Sequence, residues 1–136
     1  MRTFFVIILG SFLGLTQTVA KELVLLCPSE IPAASIHDVE IEPGWRVFNP
    51  NKLKLRSATF IGASPEAMME LVPFQVSRGR GGAIERWIFD GDDVWLRCAY
   101  GAAGQLTLSK KVDGKQKECS ITYVRDSLSR IVCVNG

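Results

Sequence analysis

Histidine occurs once in the 136-residue chain, as His37, and no two of its four cysteines are spaced Cys-x-x-Cys. The first shortage leaves little for general-base catalysis, since Asp38 beside His37 would point to the opposite face of an extended segment. The second removes the close thiolate pair on which protein zinc sites are built. Neither a Gly-x-Ser-x-Gly elbow nor a His-Glu-x-x-His helix is present, so the short motifs of hydrolases are missing as well. Asp90, Asp92 and Asp93 have the right chemistry for calcium, yet the DxDxDG loop and its distal glutamate are absent and Asp90-Gly91 reads as a turn tip. The stretch Ser77-Arg78-Gly79-Arg80-Gly81-Gly82 lacks the lysine with Ser or Thr of a phosphate-binding loop, and it holds one Arg-Gly copy rather than a repeat. The expectation is a non-enzyme with no catalytic residue, no metal and no cofactor.

Charge of one sign is scarce too. Sixteen basic side chains stand against fourteen acidic ones, for a net +2, and no polybasic arm is seen. Nucleic-acid binding, which normally shows a basic surface, is therefore not expected. The one long apolar run, Phe4 to Leu15, is shorter than the roughly 20 residues a bilayer span needs. With Arg2 before it and Thr18-Val19-Ala20 after it, it has the layout of a secretory signal cleaved after Ala20. Residues 1–20 are thus expected to be removed, leaving 21–136 as a single domain in the periplasm or outside the cell, with no stable membrane insertion after cleavage.

What the sequence does have is strand. Ile84 to Phe89 and Val94 to Tyr100 are dense in β-branched and aromatic residues and flank Asp90-Gly91, which signals a hairpin because glycine tolerates positive φ. A second Asp-Gly, Asp113-Gly114, separates Gln105–Val112 from Glu118–Arg125, and Arg130–Val134 follows after another turn. Leu53 and Leu55 alternate with Lys54 and Arg56, and Leu23 to Cys27 forms a short apolar run stopped by Pro28. The first pattern predicts a half-wet strand, the second one buried on both faces. Ser64-Pro65-Glu66 before Ala67 to Leu71 reads as the start of a short helix, with a cap, a proline at the first helical position and an acidic first turn. The expected fold is mainly β with one short helix (α+β), an antiparallel meander sheet stapled by disulfides into one domain.

An even set of cysteines in an exported chain predicts disulfides. Cys27–Cys98 would tie the N-terminal strand to the meander and Cys119–Cys133 would close the last hairpin; a cross-strand Cys98–Cys119 bond is the alternative. The glycine and arginine stretch reads as a mobile connection, and exposed loops on rigid scaffolds are where binding residues sit. Arg78 and Arg80 are the candidates for an acidic partner, with Trp45 beside the Pro43-Gly44 turn as a further binding candidate.

Cys27-Pro28-x-x-Ile31, Ser64-Pro65 with Leu71-x-Pro73, Trp95-x-x-Cys98-x-Tyr100 and Cys119-x-x-x-Tyr123 together resemble a family of small exported Gram-negative proteins of uncharacterised function. The resemblance implies a periplasmic, disulfide-bonded single domain and brings no catalytic residues. In size, compartment and cysteine use the chain is also similar to periplasmic lysozyme inhibitors and to immunity proteins that neutralise peptidoglycan-attacking toxins. The function expected is a periplasmic binding protein whose partner is another periplasmic or extracellular protein, of the inhibitor or immunity type against a cell-wall-targeting enzyme. The alternatives are an envelope component that pairs through a sheet edge, with Arg130–Val134 as the edge, and a small hydrolase.

Overall fold

The computed structural model of the chain describes residues 20–32, 43 and 52–136. Residues 1–19 of the expected signal sequence, His37 and Trp45 fall outside them. Ten strands are described: β1 (Glu22–Leu25), β2 (Glu30–Ile31), β3 (Leu53–Gly62), β4 (Met69–Glu70), β5 (Gln75–Gly79), β6 (Gly82–Ile88), β7 (Val94–Tyr100), β8 (Leu106–Lys111), β9 (Gln116–Val124) and β10 (Ser127–Asn135). They form two antiparallel sheets. The first has the order β1-β10-β9-β6-β5 and the second β2-β3-β7-β8, with β4 also paired to β3.

Alternation along each strand turns one face of each sheet into a common core. From the first sheet come Leu25, Trp87, Cys119, Ile121, Ile131 and Cys133; from the second come Ala58, Phe60, Leu96, Cys98 and Tyr100. Phe60 sits edge-on to both Trp87 and Phe89 at 5.1 Å between centroids. Each large apolar side chain so buried contributes about 1.5–3 kcal/mol. Trp87 is fully enclosed because its indole N–H also has a partner, donating to the Leu71 carbonyl at 3.0 Å.

The mainly β, disulfide-stapled fold is as the sequence predicts, but its wiring is not one meander. Asp90-Gly91 does not close a hairpin: β6 lies in the first sheet and β7 in the second. The Asp113-Gly114 link likewise carries the chain from β8 back across to β9. Core-facing residues on both sides of each link are satisfied by this crossing, which puts the two aromatic runs face to face instead of side by side. The Ser64 helix is also corrected. A single 3-10 turn at Pro65–Ala67 ends where Met68 adopts a left-handed conformation (φ 49°). The chain then pairs with β3 as β4, so Met69 and Glu70 become strand. Two turns are too few to hold a helix against a free strand edge that offers backbone partners.

Three further expectations change. β1 is a sheet edge with Val24 exposed, so it is buried on one face and not both. β10 is covered on one side by β1 and on the other by β9, which leaves Arg130–Val134 no free edge. The glycine and arginine stretch is a tight hairpin, Gly79 facing Gly82 across Arg80-Gly81. Both favoured disulfides form, Cys27–Cys98 and Cys119–Cys133.

Candidate functional site

Between Lys54 and Ile61 the side of β3 turned away from β7 has no neighbouring strand among the described residues, because β2 pairs only as far as Lys54 and β4 begins at Ile61. Unpaired backbone groups in a partly buried place must find partners. Tyr123 of β9 reaches across from the opposite sheet to supply one: its hydroxyl donates to the Ala58 carbonyl at 2.9 Å and accepts from the Ala58 amide at 3.2 Å. Burial pushes the Tyr123 phenol above its usual range, and the negative charge of Glu85 adds to that, against the opposing hydrogen bond to Ala58. The hydroxyl therefore keeps its proton and its donor role.

Around this bridge lies a cleft of about 830 Å³. Glu85, Trp87 and Tyr123 wall it from the first sheet and Ser57, Thr59 and Arg97 from the second, with Met68, Glu70 and Pro73 at the mouth. Arg97 donates to Glu70 at 2.6 Å. The lining offers hydrogen-bond donors, acceptors and both signs of charge, suited to recognising a polar or mixed surface. Among the described residues it brings together no nucleophile with a base and its orienter, the arrangement of triad-type hydrolysis.

Arg78 and Arg80 do not line this cleft; Arg78 is two strands from Tyr123, across Ala83. Arg78 is in β5 opposite Ala83, and Arg80 is in the turn. The β9–β10 turn is drawn alongside, the Arg125 amide donating to the Gly81 carbonyl at 3.2 Å. Among the described residues neither Arg78 nor Arg80 is in an ion pair, whereas Asp92 and Asp93 are engaged by Lys117 and Lys111 at 3.0 Å each. Those two aspartates, and the Trp95 indole that donates to Asp93 at 3.2 Å, fasten the crossing links.

The sequence reading missed two features. One is the strip that runs from the 3-10 turn into β5, where Met68, Met69, Val72, Phe74 and Val76 are all exposed. The other is the cleft wall. Its only sequence signal is that Tyr123 continues the inward alternation of Cys119 and Ile121, and nothing local says that it crosses to β3.

Residues 49–134 match the family model described as type VI secretion system Tli immunity protein. No curated protein and no solved structure matches the chain. The matched span holds Cys98, Cys119, Cys133 and the whole cleft wall named above, and leaves out the Cys27-Pro28-x-x-Ile31 element.

Proposed function

Because the chain belongs to the type VI secretion system Tli immunity protein family, we propose that it is exported and neutralises a toxic effector in the periplasm by binding it. The family match over residues 49–134 is the observation on which this reading rests. Two features agree with it. Both disulfides need an oxidising compartment, which is where an effector aimed at the cell envelope arrives. The exposed apolar strip leads into the strand that carries Arg78, with Arg80 in the turn after it and neither in an ion pair among the described residues, which gives the mixed apolar and charged surface that protein binding uses.

On this reading the protein acts stoichiometrically and performs no reaction of its own. A competition assay tests it. Cells deleted for the gene should be killed by attackers with an active type VI system, survive beside secretion-null attackers, and regain survival when the full-length chain is restored. A version without residues 1–20 should not protect. Equal survival of deleted and complemented cells would reject the immunity reading, and protection by the leaderless version would reject the periplasmic one.

A further inference from the structure

We infer that the open edge of β5, together with the apolar strip leading into it, is where the effector docks, adding an extended segment flanked by acidic side chains as a further strand. This rests on the immunity reading above and specifies which surface performs it.

The sheet edges are not equivalent. A free strand edge is a row of unpaired backbone donors and acceptors, which proteins ordinarily shorten or arm with charge. β2 and β4 are two residues long. β8 ends in Lys110 and Lys111, and β1 begins with Glu22, paired to Arg130. β5 is five residues long, every one of them exposed, with Arg78 as its one charged residue. Among the described residues it is paired on one side only, to β6.

The approach to β5 carries more exposed apolar side chains than the other edges: Met68, Met69, Val72, Phe74 and Val76, against Val24 and Leu26 at β1 and Leu108 in β8. Met68, Val72 and Phe74 are 74%, 86% and 55% exposed, large for side chains that have nothing to gain from water. Met68 and Pro73 also line the mouth of the cleft, so the strip and the cleft are continuous. By strand alternation Val76 and Arg78 lie on the face of the sheet that carries Glu85 and Ala83, and Gln75 and Ser77 on the other. A strand added to β5 would thus be gripped by main-chain hydrogen bonds and offered Val76 and Arg78 on one face.

The basic tip selects the partner's charge. Arg78, Arg80 and Arg125 outnumber the one acidic residue of the two hairpin turns, Asp126, where those turns meet, while Glu85 is turned to the cleft. Carboxylates beside the incoming strand would meet these guanidiniums. A lipid surface would satisfy the arginines and the apolar strip, but it cannot supply the alternating donors and acceptors that a strand edge calls for. A polypeptide supplies both.

The test uses the same competition assay, with the full-length chain and its variants restored to deleted cells. Arg78→Glu/Arg80→Glu and Val72→Glu/Phe74→Glu should each lower survival by about tenfold or more, the scale set by losing charge complementarity or an apolar anchor. Arg78→Lys/Arg80→Lys should retain most protection, and Lys110→Glu/Lys115→Glu, near the β8 edge, should retain all of it. Cooperative melting of each purified variant establishes folding; if one pair fails to fold, the other decides. Full protection by folded β5-side variants would overturn the docking surface and leave immunity intact, while no protection by the unaltered chain would overturn both. Two other occupants are checked on purified protein: co-sedimentation with phosphatidylglycerol vesicles, and self-association by sedimentation velocity. Either one, abolished by the same substitutions, would assign the edge to lipid or to a second copy and overturn the proposal.

Discussion

Tyr123 is the residue at which the two sheets are joined by polar atoms. Its hydroxyl serves both the amide and the carbonyl of Ala58, groups that no strand covers on that side. Tyr123→Phe keeps the ring and removes both bonds, so it should cost about 1–2 kcal/mol, the penalty of leaving partly buried backbone groups unpaired. Chemical denaturation would read the loss. The pH dependence has a definite sign. Burial raises the pKa of both Tyr123 and Tyr100 above the ordinary value of 10.0. Above about pH 10 the unfolded phenols release protons that the folded ones retain, so the folded state binds more protons and stability falls as pH rises further. Below that pH the contribution is complete and constant. Denaturation midpoints at about pH 8, 10 and 11 should drop over the last interval, and less steeply in Tyr123→Phe. A flat profile would contradict the buried, proton-donating hydroxyl. Tyr100 ties the second sheet to the β1–β2 link, donating to the Pro28 carbonyl at 2.9 Å.

At the scale of elements, the β5–β6 hairpin depends on one glycine. Gly82 has φ +148°, and a Cβ there would stand 1.9 Å from the Tyr123 carbonyl oxygen. Since that oxygen belongs to the paired strand β9, it cannot move aside. Gly82→Ala should therefore destabilise by about 3 kcal/mol or more and loosen the hairpin tip before the core, which hydrogen exchange at β5 and β6 would reveal; protection unchanged from the unaltered chain would refute the clash. Gly79→Ala, with nothing within 4 Å, serves as the mild comparison. This hairpin also shows what local sequence conveys. Strand identity was legible in Leu53–Gly62, Val94–Tyr100 and the later runs, because period-two burial is a property of neighbours along the chain. Which sheet a strand joins was not. Asp-Gly permits a reversal, but whether the returning strand lies beside its predecessor or opposite it depends on where the side chains of Trp87 and Leu96 are buried, a tertiary matter. The Ser64 helix failed for a similar reason: its start signals are sound, and the free edge of β3 at Ile61 and Gly62 outcompeted the second turn. Of the proposed docking surface, Arg78 and Arg80 are picked out by the glycine and arginine composition of their stretch. The apolar strip is not, since the exposure of Met68 and Met69 depends on whether Ala67 to Leu71 forms the expected helix or the strand β4, which the edge of β3 decides.

For the whole molecule, the two disulfides do different work. Cys119 and Cys133 are direct cross-strand partners in β9 and β10, 14 residues apart in sequence, so they reinforce a hairpin already closed by its own turn. Cys27 and Cys98 are 71 residues apart. Cys27 lies in the link between β1 of the first sheet and β2 of the second, and its partner is in the centre of the second sheet, so this bond fixes where the chain passes between sheets. In the chain-entropy account a longer closed loop stabilises more, about 4 kcal/mol for the long loop against about 3 for the short one. Cys27→Ala/Cys98→Ala should accordingly lower stability more than Cys119→Ala/Cys133→Ala, although Cys119 and Cys133 are the more deeply buried pair. The ranking is informative because the two mechanisms oppose each other: loss of buried volume would make the Cys119–Cys133 deletion the worse one. Guanidinium midpoints of the two double variants, compared with the oxidised chain and with the chain held in reductant, decide between them. If the Cys27–Cys98 deletion is the milder, cohesion of the sandwich comes from its packed core, and the bond between the sheets is secondary. If it is the more severe, a chain that reaches an oxidising compartment differs in kind from one retained in a reducing one, and protection against an incoming effector becomes conditional on export.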